Sequence, residues 1–386
     1  MSALRRFFQD WQAYRAFKRL PRSDRHIVIY AESGQDWHHY ESIIRHLTDV
    51  LGKKVCYVSS DAQDPGLAQN HSSILPFCIG TGFFRIPFFQ MLEADVMLTQ
   101  LLDLDNFDLK RSVHPVHYIY MFHSLISTHM ADHADSFDHY DSILCAGPHQ
   151  KAEIRKRESI HGFESKQLIE HGYERLEQLV DQRREPPEIT AQQDIHVLLA
   201  PSWGDQTILN LCGSELIGVL LDAGFRLTLR PHYQTRWNTP EVLDAILTRY
   251  DSHRTFTLVE QMSESDSLYD SHVMITDWSG AGMDYGMGLE KPVLYIDVPP
   301  KARNDTWHEL EMEPFESYVR DKIGAILSPD KLDDAPRVIT ELLADSQQFH
   351  QRVQTLRREC VFNFGGSVKA GAEVVARMAD EMAIGR

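Results

Sequence analysis

The run HVMITDWSGAGMDYGMGLEKPVLYIDVPP, residues 272–300, carries the order strand, small-residue turn, helix and strand. HVMIT and PVLYI are short apolar runs rich in β-branched and aromatic residues, which suits strands. Between them, TDWSGAG offers a tight turn and a helix begins near Met283. Two strands joined by a helix pair in parallel, so the class is α/β.

The same alternation extends in both directions. Upstream lie IHVLLAPSWG (195–204), FRLTLRPH (225–232) and a strand at 255–259. Further back, HIVIYAES (26–33), a helix near 38–51, KVCYVSS (54–60), strands at 95–99 and 117–122, and YDSILCAG (140–147) form an earlier series. Residues 148–194 are polar and helix-prone, and end in DQRREPPEITAQQD, whose Pro186-Pro187 and charges mark a linker. The expected organisation is a helix over 1–22, a Rossmann-like unit over 23–190, a second over 191–350, and helices over 351–386. Of these last, VKAGAEVVARMADEMA (368–383) is expected to pack across the two units.

At 386 residues the chain is long enough for two cores. Its 39 Lys and Arg stand against 56 Asp and Glu, a net charge of −17, which argues against nucleic acid as a partner. Five cysteines, Cys56, Cys78, Cys145, Cys212 and Cys360, form no C-x-x-C pair and read as reduced thiols of a cytoplasmic protein. The most apolar stretch, Ile74 to Leu92, is broken by Arg85, Gln90 and two prolines, so no membrane-spanning helix is expected. A signal peptide is not expected either.

One segment opposes the overall charge. Residues 1–22 hold six Arg or Lys against Asp10, so the segment is +5 and the remainder −22. Leu4, Phe7, Phe8, Trp11 and Tyr14 recur at the spacing of one helix face. With Arg5 and Arg6 beside Phe7, Phe8, Trp11 and Tyr14, the expectation is an amphipathic helix on an anionic membrane surface. The alternative is the same helix docked on the protein's own core.

Ligands of open parallel sheets bind beyond the carboxyl ends of the strands. Those ends here are Pro201-Ser202-Trp203-Gly204, Arg230-Pro231-His232, Thr276 to Gly282, Asp297 and His123-Ser124. Ser279, Gly280 and Gly282 would offer backbone N–H groups to a phosphate, and Arg230 with His232 would add positive charge. A turn of small residues chosen for packing is the alternative. His123 ends a strand beside Ser124 and Ser127, where an imidazole could serve as a base; a buried structural histidine is the other reading. His114, His117, His129, His133 and His139 match no metal-ligand spacing, so no metal or other cofactor is expected.

These pieces in this order resemble the CDP-glycerol glycerophosphotransferase family of teichoic-acid and capsule synthesis. The resemblance runs over about residues 90–385 and rests on YMFHSLIS (120–127), YDSILCAGPHQKAEI (140–154), HGYERLEQL (171–179), LLAPSWG (198–204), LRPH (229–232) and ITDWSGAGMDYGMGLEKPVLY (275–295). It implies a GT-B fold, metal-independent transfer of an alditol phosphate from a CDP-activated donor to a lipid-linked glycan, and residence on the inner face of the cell membrane. By the same resemblance His123 is the general base and His232 the group that stabilises the diphosphate. Thr276, Asp277, Ser279 and Gly280 match the donor motif, Gly282 falls in the phosphate cradle, and Asp284 is its acidic neighbour. A nucleotide-sugar glycosyltransferase and a catalytically silent membrane-docked scaffold are the competing expectations.

Overall fold

The computed structural model describes residues 3–102, 104–259 and 266–385. Among the described residues thirteen strands form two sheets, and every strand pairing within them is parallel. The first sheet holds β1 (Ile27–Ala31), β2 (Val55–Ser59), β3 (Ile74–Cys78), β4 (Val96–Thr99), β5 (His117–Met121), β6 (Ser142–Cys145) and β7 (Gln167–Glu170), in the order 3-2-1-4-5-6-7. The second holds β8 (His196–Leu199), β9 (Arg226–Leu229), β10 (Phe256–Leu258), β11 (Val273–Thr276), β12 (Val293–Ile296) and β13 (Gly324–Leu327), in the order 10-9-8-11-12-13. Both are doubly wound, with the strand order reversing beside β1 and beside β8. The α/β expectation therefore holds, with one sheet in each half of the chain.

The strands are short and apolar because helices cover both faces of a parallel sheet. Along β1, Ile27, Ile29 and Ala31 face a cluster that includes Ala372, Val375 and Ala379 of the last helix, Ser367–Ile384. Val28 and Tyr30 face the other way. That second cluster does not stop at the first sheet. It runs through Phe122, Leu125, Tyr173, Leu176 and Leu179 into Met283, Tyr285 and Met287, and on to Met274, Val293 and Tyr295 of the second sheet. One apolar body thus joins the two lobes. The polar segment 148–194 differs from expectation by containing β7 between the helices Pro148–His161 and Glu174–Asp181.

The helix Ala3–Arg19 divides into two parts. Its second half docks: Phe17 is fully buried against Phe77 and Phe88, and Tyr14 lies on Phe84. Its first half is only partly covered: Phe7 touches Phe84 and Asp10 is buried, but the apolar face is left largely open. Leu4, Phe7 and Phe8 remain 68%, 43% and 50% exposed, and Phe83, itself 72% exposed, lies beside Phe7. Among the described residues no helix is long and apolar enough to cross a membrane.

Candidate active site

β5 delivers His123 to the carboxyl edge of the first sheet, where the N–H of Phe122 still bonds to the Leu144 carbonyl at 3.2 Å. The helix Trp37–Arg45 begins above it and brings His38 and His39 alongside. The His39 and His123 rings lie 4.9 Å apart, and the His38 and His39 rings 3.7 Å. These three, with His171, Tyr173 and Arg175, line one cavity of the first lobe. Burial lowers the His123 imidazole to about 4, with His38 adding to the effect. Burial likewise lowers His39 to about 2, reinforced by His123 and then His38. His123 is therefore uncharged near pH 7, and its buried Nδ1 has no hydrogen-bond partner among the described residues.

The expected donor turn belongs to the second lobe. Ser279 caps the helical turn Gly280–Met283, its Oγ accepting from the Ala281 N–H at 3.3 Å. The helix starts at Gly280, three residues before the expected Met283, because Ser279 supplies the cap. The Gly282 N–H is spent on the Ser279 carbonyl at 3.1 Å. Gly282 is itself buried, and a Cβ there would meet the Tyr295 hydroxyl at 2.8 Å and Thr276 at 2.9 Å. Its lack of a side chain thus serves close packing, while Gly280, nearer the surface, faces Ile126 of the first lobe, where a Cβ would lie at 3.5 Å. Thr276 donates its hydroxyl to the Ala200 carbonyl at 2.6 Å. The buried Asp277 carboxylate accepts from the N–H groups of Ser202, at 2.8 Å, and Ile208, at 3.2 Å. Both side chains hold the loop after β8 in place. Asp284 accepts from the Tyr173 hydroxyl at 3.3 Å, which ties the turn to the His123 cavity. Burial pushes its carboxyl up to about 6 against the pull of Arg175.

The loop held by Asp277 presents Trp203, whose ring stacks on His232 at 6.0 Å. Lys301 lies 4.0 Å and Arg303 5.3 Å from the Trp203 ring centre. His232 caps the helix Tyr233–Asn238, with Nδ1 accepting from the Gln234 N–H at 3.2 Å. Burial, followed by the charges of Lys301 and Arg303, lowers this imidazole to about 4. Lys301 falls to about 8 through burial and then Arg303. Arg230 is lowered by burial and then by Arg175 of the other lobe. Positive charge crowded at one sheet edge of a −17 protein suits a diphosphate.

Sequence reasoning assigned no role to His38, His39, Arg175, Lys301 or Arg303. The last two sit just past β12 in PPKAR, and the strand-end rule applied beyond Asp297 would have found them. His117 bonds Ser142, His139 faces Asp105 and His129 faces Glu153, so these histidines are dispersed. Arg5, Arg6, Phe7, Phe8, Trp11 and Tyr14 all lie on the N-terminal helix, apart from this site.

The burial of so many imidazoles has a consequence for stability. His39 falls to about 2, and His123, His171, His196 and His232 to about 4, all chiefly by burial. An unfolded chain binds these protons near pH 6.5 and the fold refuses them, so stability drains as pH falls from 6.5 toward 4. Each proton is worth about 1.4 kcal/mol per pH unit. Asp36 and Asp284, raised to about 6, and Glu316, raised to about 7, act in the opposite sense, since their stabilisation is lost as pH rises through those values. The imidazoles outnumber them. The melting temperature is expected to drop by several degrees between pH 6.5 and 4.5, and a flat or rising value in a calorimetric series would overturn this.

Comparisons with known proteins bear on this geometry. The family model described as CDP-glycerol:poly(glycerophosphate) glycerophosphotransferase matches residues 120–321, just over half of the chain. No curated protein matches. Among solved structures, the wall teichoic acid polymerase TagF, determined as a histidine-to-asparagine variant with CDPG, superposes with a TM-score of 0.55 at 13% identity, covering 99% of this chain and 100% of that one. A putative UDP-N-acetylglucosamine 2-epimerase from Listeria monocytogenes gives 0.57 at 10% identity, covering 89% and 94%. A glycosyltransferase from Rickettsia africae gives 0.53 at 10%, covering 92% and 98%. The two doubly wound sheets are those of the GT-B fold.

Proposed function

The chain belongs to the CDP-glycerol:poly(glycerophosphate) glycerophosphotransferase family, and from that premise we propose that it transfers glycerol phosphate, or a related alditol phosphate, from its CDP-activated form to a hydroxyl of a membrane-linked glycan. The acceptor oxygen attacks the phosphorus that bears the alditol. His123 takes the acceptor proton, the phosphoanhydride bond breaks, and its electron pair leaves on CMP. Arg230, Lys301, Arg303 and the capped turn at Ser279 and Gly280 offset the donor's negative charge, and His232, uncharged near pH 7, offers its Nε2–H as a hydrogen-bond donor to the diphosphate. Thr276, Asp277 and Gly282 act through the loops they hold, and Asp284 joins the lobes. Positioning and charge stabilisation suffice because CMP is a good leaving group.

The observation that carries this reading is the pairing of chemistries across the lobes: neutral, part-buried His123 on one side and, on the other, the basic edge of Arg230, Lys301 and Arg303 around His232. The test is a parallel donor screen with a lipid-linked glycan acceptor, reading CMP, UMP and UDP release. CMP from CDP-glycerol supports the reading. Release of UDP from a nucleotide sugar would replace it with glycosyl transfer, and binding without turnover of any donor would make the protein a scaffold.

We also infer that the exposed first half of the N-terminal helix lies on an anionic membrane surface. Leu4, Phe7, Phe8 and Phe83 supply an apolar patch, and Arg5 and Arg6 flank it within a +5 segment. Each basic residue near such a surface contributes about 1 kcal/mol. Because Phe17 belongs to the core and Phe7 touches Phe84, the informative variant keeps both: L4S/F8S is expected to lower binding to phosphatidylglycerol vesicles at least tenfold with an unchanged melting temperature. Undiminished binding would refute the inference.

A further inference from the structure

Arg175 is a cation beside the imidazoles of the first lobe. It lies in the helix Glu174–Asp181 of the first lobe and lines the cavity that holds His38, His39 and His123. Among the described residues its guanidinium makes no hydrogen bond or ion pair. The imidazoles around it offer no negative charge; Glu174, which lines the same cavity, is hydrogen-bonded by Gln178, and Asp284 by Tyr173. The charge of Arg175 is felt on both sides of the boundary, by His38 and His39 in its own lobe and by Asp284 and Arg230 in the other. Arg175 thus stands on the first-lobe side of the boundary and bears electrostatically on the basic edge of the second, where an anion would gain from both.

We propose that Arg175 is a further catalytic residue, a first-lobe guanidinium that binds the phosphoryl group undergoing transfer while the second lobe holds the rest of the diphosphate. This rests on the donor reading above. The argument is positional. The cytidine monophosphate part of the donor leaves on the side of Arg230, His232 and Lys301, so the transferred phosphoryl is the part that must approach His123, and Arg175 shares the His123 cavity. As the acceptor proton moves to His123 and CMP departs, negative charge spreads over the oxygens of the phosphoryl group. A preorganised cation there is worth more in the transition state than in the ground state.

The experiment compares wild type with Arg175→Gln and Arg175→Lys, using CDP-glycerol and CMP as probes. Arg175→Gln is expected to lower kcat about 100-fold and to weaken CDP-glycerol binding, while CMP binds as before, because CMP lacks the transferred phosphoryl. Arg175→Lys should recover part of kcat, and guanidinium ion added to Arg175→Ala should restore part of it as well. An unchanged kcat in Arg175→Gln overturns the proposal. So does an equal loss of CMP and CDP-glycerol affinity, which marks a structural role against Asp284. A melting temperature accompanies each variant, and if Arg175→Gln fails to fold the charge-retaining Lys variant carries the comparison. Wild type that releases no CMP at all overturns the underlying donor reading, whereas an active wild type with an equally active Arg175→Gln overturns only the role of Arg175.

Discussion

Replacing His123 by alanine is expected to lower CMP release by about 10³-fold to 10⁴-fold, the upper range for removal of a general base. The expectation follows from where β5 ends. His123 stands part-buried among His38 and His39, and burial lowers it to about 4. It is therefore ready to accept a proton throughout the neutral range. In free enzyme it is a weak base, and the arriving donor corrects this: negative charge beside an imidazole favours its protonated form and raises its pKa. The acid limb of kcat/KM, which reports free enzyme, should accordingly fall near pH 4 instead of 6.5, and that of kcat should lie higher. Both limbs are measurable from steady-state CMP release. His123→Ala should retain donor affinity and its melting temperature to within a few degrees, since the alanine leaves no buried charge behind. A variant that keeps wild-type kcat would remove the assigned role.

The second large effect is expected at Asp277. Its carboxylate gathers the N–H groups of Ser202 and Ile208 inside the protein, and in Asp277→Ala both would be left buried without an acceptor. Hydrogen bonds to a charged acceptor contribute about 1.5–3 kcal/mol, and orphaned donors cost a similar amount. A loss of about 3 kcal/mol is expected, or roughly 5–10 °C in melting temperature for units of this size. Function should fail with it. The released loop carries Trp203, which stacks on His232 and lies beneath Lys301 and Arg303, so donor affinity is expected to fall with stability. Asp277→Asn, which keeps one acceptor oxygen, should fall between. Unchanged melting temperature and donor affinity in the alanine variant would show that the loop holds itself.

Much of the architecture was legible because buried parallel strands must be apolar throughout. IVIYA, VCYVS and VMIT declare themselves, and all are buried. The three strands that sequence reasoning passed over, β3, β7 and β13, are edge strands. β3 contains Pro76, which an edge tolerates and a centre does not. β7, QLIE, exposes both of its ends and so lacks an apolar run. The strand-end rule found His123, Arg230 and His232, while Arg175 stayed hidden because an arginine inside a short polar helix looks like any solvated one. The role of Asp277 was equally invisible. Only the fold shows that its oxygens are occupied by the chain itself.

The apolar body shared by the two sheets sets the mechanics of the molecule. Leu176 and Leu179 from one half interlock with Met283, Tyr285 and Met287 from the other, so parting the halves would wet oily surface that neither could hide by itself. Any motion between the halves is therefore confined to a small rocking about this seam, and neither half is a transplantable module: a graft that borrowed the second half alone would inherit an open wound along its flank.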